Sequence, residues 1–178
     1  MKKFTWIMVC WCLAIGAYAQ KPMQLSSPDG KIQVTLHAET TQMNYDVAYQ
    51  GAAILSGNKA ALSVNGKQLP IKVTGQKTVS KHQSFRPVVA FKFSQIEKDY
   101  NELTLTMKDG YSMIWRAYNE GIAYRYVTRL KGEMEVDNEI IELGVPNDYL
   151  LHLQEDNKFT SAFENPYIHV KQNEWTKD

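Results

Sequence analysis

Cysteine is nearly absent from this chain of 178 residues: only Cys10 and Cys12 occur, both inside an apolar run near the amino terminus. The remaining residues therefore offer no thiol for a disulfide, a zinc site or covalent catalysis, and stability must come from packing. An excess of charge is also missing. Lysine and arginine number 20 against 19 aspartates and glutamates, and setting Lys2 and Lys3 aside leaves 18 against 19. No basic stripe marks a nucleic-acid surface, and no basic amphipathic helix marks a lipid surface. Sustained helical spacing, internal repeats and low-complexity segments are absent as well, which removes crossover helices and hence a parallel sheet.

The amino terminus has the three parts of a secretory leader. Lys2 and Lys3 give a positive start, residues 4–16 an apolar run, and Ala17-Tyr18-Ala19 a small-x-small processing site. The run is shorter than the roughly twenty apolar residues of a membrane span. Val9, Cys10 and Trp11 are too bulky to precede a lipoprotein cysteine at Cys12. The sequence thus predicts a signal peptide over 1–19 and a mature domain over 20–178, periplasmic or secreted and free of the membrane once processed.

Short alternating or β-branched runs recur between turn signals. Ile32, Val34 and Leu36 alternate with Gln33, Thr35 and His37 after Ser27-Pro28-Asp29-Gly30, where proline presets φ and glycine accepts a positive one. Residues 45–49 and 52–55 around Gln50-Gly51 read as a hairpin. Residues 61–64 meet Asn65-Gly66, and a strand over 71–74 ends at Gly75. Further strands are expected at 88–93, 103–107, 112–117 and 122–128, with turns at Asp109-Gly110 and Asn119-Glu120-Gly121, then at 140–145 and 159–163. This pattern predicts an all-β, antiparallel sandwich of one domain. Its core is expected to use Ile32, Val34, Leu36, Val47, Leu62, Phe91, Phe93, Leu103, Leu105, Ile114, Ile122, Tyr124 and Tyr126, each contributing roughly 1.5 to 3 kcal/mol on full burial.

The run Ile114-Trp115-Arg116-Ala117-Tyr118-Asn119-Glu120-Gly121-Ile122-Ala123-Tyr124-Arg125-Tyr126 resembles the most recognisable stretch of the amino-terminal domain of glycoside hydrolase family 97. The opening, Leu25 through Lys31, followed by residues 45–49 and Ile54-Leu55-Ser56, resembles it too, so the likeness covers nearly all of residues 20–178. It implies a super-β-sandwich, galactose-mutarotase-like and incomplete at residue 178. It further implies a parent that is an exported α-galactosidase or α-glucosidase. In that parent a catalytic (β/α)₈ barrel, with its own acidic residues, would act on a carbohydrate substrate. On this reading no catalytic residue lies in the chain, and the polypeptide alone is inactive.

The family likeness also implies that the sandwich lends a glutamate to a calcium ion held mainly by the barrel. Glu164, in Phe163-Glu164-Asn165-Pro166-Tyr167, matches by context, with Glu174 beside Trp175 as the weaker match; a solvated loop carboxylate is the alternative for Glu164. Calcium takes about six to eight oxygens, so one carboxylate would bind it weakly. For Asn119, Glu120 and Gly121 a tight turn is expected rather than catalysis. Arg116 and Arg125, on the strands flanking this turn, are expected to pair with acidic side chains across the sheet for little gain. His37, His82, His152 and His169 show no local metal-ligand spacing, and no Gly-x-Ser-x-Gly elbow suggests a hydrolase triad. Trp115 is expected in the core or at a domain contact, and Trp175 at an interface.

Two rival functions remain at this level: an autonomous carbohydrate-binding sandwich, and a mutarotase-like enzyme that would need a histidine and glutamate as acid and base. The leader gives the first test. Amino-terminal sequencing of the exported chain is expected to start at Gln20, and an intact mass that retains residues 1–19 would refute the leader.

Overall fold

The computed structural model describes residues 21–89, 92–146, 148–156, 162 and 164–176. Among these residues there are twelve strands and no helix. In chain order they are β1 (Met23–Ser26), β2 (Ile32–Ala38), β3 (Met43–Tyr49), β4 (Ala52–Val64), β5 (Lys67–Gln68) and β6 (Val73–Phe85). There follow β7 (Ile96–Met107), β8 (Tyr111–Tyr118), β9 (Ile122–Thr128), β10 (Val136–Glu142), β11 (Leu150–Leu153) and β12 (Ile168–Lys171). One sheet runs β1-β2-β3-β4-β10 with β5 added on β4, a second runs β6-β7-β8-β9, and β11 pairs with β12. Every pairing is antiparallel.

The turns are set by local chemistry. At the β1–β2 turn the Ile32 amide donates to Ser27 Oγ at 3.0 Å, and the Ser27 hydroxyl donates to Asp29 at 2.6 Å. Gln50 and Gly51 carry φ of 50° and 83°, and Asn65 and Gly66 carry 51° and 72°. These are the two-residue loops with positive φ whose twist matches the strands they join.

Because side chains alternate with a period of two, β2 buries Ile32, Val34 and Leu36, and β8 buries Tyr111, Met113, Trp115 and Ala117. Leu103, Leu105 and Met107 of β7 join Met23, Leu25, Tyr45 and Val47 from the other sheet in one core. The two sheets meet where β1 touches β7 and β8 and where β2 touches β8. Polar bridges tie the layers at their margins. Asn101 Nδ2 donates to the Ser26 carbonyl at 2.8 Å, and the Tyr111 hydroxyl donates to the Pro70 carbonyl at 2.8 Å.

Several expectations are corrected. Residues 52–55 and 61–64 belong to one strand, β4, which bulges where Ser56 and Gly57 oppose Asp46. Residues 71–74 do not form a strand ending at Gly75; β6 starts at Val73 and passes through Gly75 with a register shift. No strand forms at 88–93 among the described residues. Val88 and Val89 lie in a bend and are exposed, Phe93 is exposed instead of buried, and Phe91 lies outside the described residues. Apolar character without a partner strand does not produce burial. Ile114 is half-buried on the outward face of β8, between the buried Met113 and Trp115. Ile122, Tyr124 and Tyr126 are partly buried against the core from β9. The strand expected at 140–145 starts earlier, at Val136, and stops at Glu142. The strand expected at 159–163 lies outside the described residues, apart from Ala162.

The bulge in β4 is stabilised by a buried amide. Asn58 is 0 % exposed; its Nδ2 donates to the Tyr45 carbonyl at 2.7 Å, and its Oδ1 accepts from the Gly144 amide at 2.8 Å. The Gly57 amide donates to Asp46 at 2.8 Å, and Gly57 has φ of 68°. Gly144 lies so near the Ser56 carbonyl that a Cβ there would collide with it. One side chain therefore secures β3, β4 and the segment that follows β10. Asn58→Ala orphans both of its backbone partners and is expected to cost about 2 to 3 kcal/mol in urea unfolding; an unchanged midpoint would contradict this.

Candidate functional site

The run Tyr118 to Ala123 faces a projecting arm. Strand β7 pairs with β8 only from Tyr100 onward, whereas its pairing with β6 extends to Phe85 and Ile96. The ends of β6 and β7 thus form a two-stranded arm beyond the sandwich. Between this arm and the β8–β9 turn lies a cleft of about 480 Å³ lined by Glu97, Asp99, Tyr118, Asn119, Glu120 and Ala123. A second hollow of about 450 Å³ adjoins Pro28, Lys81, His82, Asp99 and Asn119.

The turn itself does not use the left-handed backbone that asparagine and glycine tolerate. Neither Asn119 nor Gly121 has a positive φ, and nothing crowds the position of a Cβ at Gly121. The loop is closed by the Tyr118 amide, which donates to the Gly121 carbonyl at 2.8 Å. Asn119 instead links two loops, its Oδ1 accepting from the Asp29 amide at 3.1 Å. Glu120 is exposed in this turn.

Charges on the arm are mutually satisfied. His82 sets Nδ1 at 2.7 Å from Asp99 and Nε2 at 3.2 Å from Glu97, while the Ser84 hydroxyl donates to Glu97 at 2.7 Å. The hydrogen bond to Asp99 holds the His82 imidazolium above its usual range. Hydrogen bonds from Ser84 and Gln95 hold the Glu97 carboxyl below its own. The hydrogen bond from Ser27, with one from the Lys31 amide, lowers Asp29. A glycosidase acid requires a carboxyl pushed upward, and these groups move the other way. Ser84 bonds to Glu97 rather than to His82, so no activated serine arises here.

Behind the arm lies an ion network that sequence reasoning missed. Glu102 is only 5 % exposed. It accepts from Lys81 Nζ at 2.6 Å and from Arg116 Nε at 2.7 Å. Arg116 also lies 4.6 Å over the ring of Tyr100, a cation–π geometry. Burial alone would raise the Glu102 carboxyl, but the hydrogen bonds from Lys81 and Arg116 outweigh it and lower the value. The expectation of a weak exposed pair at Arg116 is therefore corrected: its partner is buried. Arg125, opposite Ile114 on β9, is exposed. The sequence signal for Glu102 was only its register, directly opposite Arg116 on β8.

The candidate metal residues lie elsewhere. Glu164 is exposed beside Asn165, whose Nδ2 donates to the Glu155 carbonyl at 3.0 Å. Trp175, 39 % exposed, donates from its indole to Glu155 at 3.2 Å. Glu174 is exposed in the turn after β12. Among the described residues no group of three or more histidines, cysteines, aspartates or glutamates could hold a metal ion. Glu164 therefore belongs to no such group among the described residues, and a calcium ion, which takes about six to eight oxygens, would need further donors. Trp115 is fully buried, its ring centroid 5.0 Å from Tyr45 and 4.7 Å from Tyr124, which makes it core. His37 is 3.6 Å from Asp46. His152 and His169, far apart in sequence, are brought opposite each other across β11 and β12.

Residues 25–178 match the family described as glycosyl-hydrolase 97 N-terminal. A retaining alpha-galactosidase of Bacteroides thetaiotaomicron is 28% identical over 181 residues, covering 94% of this chain and 27% of that protein. The crystal structure of a beta-arabinopyranosidase superposes with a TM-score of 0.69 at 23% identity, over 82% of this chain and 26% of that one. A glycoside hydrolase family 97 enzyme from a Pseudoalteromonas species, in complex with acarbose, gives 0.64 at 17% identity, over 83% and 24%. The two structural matches establish the fold, and this chain spans about a quarter of the length of each relative.

The Glu102 network has an acid signature. Because the folded carboxyl is lowered, its stabilisation is complete above the unfolded value of about 4.3 and is lost as pH falls through the folded one. Removing the acid in Glu102→Ala takes away two charge-assisted hydrogen bonds but leaves Lys81 and Arg116 partly hydrated, 40% and 25% exposed, so the cost at neutral pH should be about 1.5 to 3 kcal/mol. Urea unfolding from pH 7 to 3 is expected to show a shallower acid loss for Glu102→Gln than for the unsubstituted chain; parallel curves would contradict it.

Proposed function

The chain belongs to the glycosyl-hydrolase 97 N-terminal family, and on that premise we propose that it is the non-catalytic amino-terminal sandwich of an exported α-glycosidase. The sandwich supports a catalytic (β/α)₈ barrel and shapes its entrance. The observation that carries this reading is the family match over residues 25–178, together with the downward shift of Asp29, Glu97 and Glu102, which suits them to ion pairing and not to donating a proton. Apolar side chains exposed on and after β10, Val136, Ile141 and Leu143, are the kind of surface a neighbouring domain covers.

The parent's activity is proposed to be hydrolysis of terminal α-linked galactose by paired carboxylates supplied from the barrel. The 28% identity to a retaining alpha-galactosidase supports galactose over the α-glucosidase alternative. Export is supported by the leader, with Lys2 and Lys3 before the apolar run and Ala17 to Ala19 after it. For calcium, Glu164 is proposed as one oxygen donor from the sandwich to an ion otherwise held by the barrel. Its place in Phe163-Glu164-Asn165-Pro166 and its exposure support this.

Purified residues 20–178 are expected to leave aryl α-galactosides and α-glucosides intact, while the parent enzyme cleaves the galactoside faster. Turnover by the short chain, free of contaminating enzyme, would overturn the reading, and heat on sugar titration into it would favour a carbohydrate-binding module. In the parent, Glu164→Gln is expected to raise the calcium concentration for half-maximal activity by about tenfold; an unchanged requirement would remove Glu164 from the site.

A further inference from the structure

Strands β11 and β12 bring two histidines 17 residues apart into direct opposition. His152 pairs in register with His169, their rings lie at 73° with centroids 4.6 Å apart, and the two Nδ1 atoms are 2.6 Å from each other. Both residues are exposed, so a metal ion could reach them from solvent.

At that separation one Nδ1 carries a proton and the other accepts it. Two Nδ1 lone pairs become available when the donor ring moves its proton to Nε2, a tautomer change with no net loss of protons. We propose that His152 and His169 form a bidentate imidazole site for a late first-row divalent ion, zinc or copper, with water completing the coordination.

The chemistry selects this ion class. Neutral imidazole suits zinc, copper and nickel, whereas calcium requires oxygen ligands. Zinc–nitrogen bonds of about 2.0 to 2.1 Å in a tetrahedral arrangement separate two nitrogens by about 3.3 Å. The pair therefore has to open by less than about 1 Å, within the reach of small side-chain rotations. Strand register holds the rings together before metal arrives, so little ordering is required on binding.

The site has a structural consequence. The stretch between the two histidines contains Glu164, and Asn165 within it is hydrogen-bonded back to Gln154 and Glu155. A metal joining the two strands would close this loop at its base, and clips that close long loops stabilise by reducing the freedom of the unfolded chain. The zinc or copper site does not depend on the calcium reading, since Glu164 is not one of its ligands.

The test is zinc chloride titrated calorimetrically into the untagged chain at pH 7.5, with copper(II) paramagnetic resonance as the second readout. One ion per chain and nitrogen coupling from two imidazoles are expected. Since even outer partners of a metal change affinity by about tenfold to hundredfold, His152→Ala and His169→Ala should each weaken zinc binding at least about tenfold. His37→Ala and Glu164→Gln should leave binding unchanged. His152→Gln and His169→Gln, checked for an unaltered circular dichroism spectrum and melt, guard against misfolding as the cause. No zinc binding, or equal binding by the wild-type chain and both histidine variants, would overturn the proposal and leave a hydrogen-bonded histidine pair only.

Discussion

The rest of the structure depends on the burial of Trp115 between the two sheets. Its ring, 0 % exposed, stacks on Tyr124 from the adjoining strand and meets the edge of Tyr45 from the facing sheet. A side chain of this size sets the spacing of the layers, and aromatic pairs in these geometries add about 0.5 to 1.5 kcal/mol beyond area burial. With Trp115 inward, the two-residue period leaves no freedom for its neighbours. Arg116 must point outward, and the register of β7 against β8 then places Glu102 opposite it. The ion network on the outer face is thus a consequence of the core, transmitted through strand register.

That network continues toward the arm. Tyr100, opposite Tyr118, lies under the Arg116 guanidinium, and its neighbour across β6 is Lys81. Tyr118 in turn begins the turn that faces Glu97 and Asp99. A buried carboxylate with two cations costs desolvation and gains specificity only when every group is satisfied. Here both Glu102 oxygens are used. The outcome is a firm base from which the arm projects, with His82 holding Glu97 and Asp99 on the exposed end.

Much of this was legible in the sequence wherever one face of a strand is buried and the other wet. The alternation in β2 and the turns at Gln50-Gly51, Asn65-Gly66 and Asp109-Gly110 identify themselves by local chemistry alone. Strand β6 did not, because it is an edge strand exposed along most of its length, and its run Lys77-Thr78-Val79-Ser80-Lys81 carries no hydrophobic period. Val88 and Val89 misled for the opposite reason: β-branched residues favour strands only where a partner and a core exist. Glu102 and Asn58 gave no local signal, because residues of those types are mostly exposed. Only the pairing of distant strands supplies the partners that make their burial affordable. The His152–His169 pair belongs to the same class, being a product of register between strands that no local spacing announces.

The direction in which the carboxyl groups shift bears on how work is divided in such an enzyme. A glycosidase acid must keep its proton near neutrality, which requires a carboxyl raised by an apolar surrounding or a like charge. In this domain the opposite devices operate: hydroxyl and amide donors at Asp29 and Glu97, and ammonium and guanidinium donors at Glu102. Near neutrality these groups are ionised, whereas a catalytic acid there must still hold its proton. A sandwich that holds these acids charged uses them to fasten strand to strand and turn to turn, which is the role their partners give them.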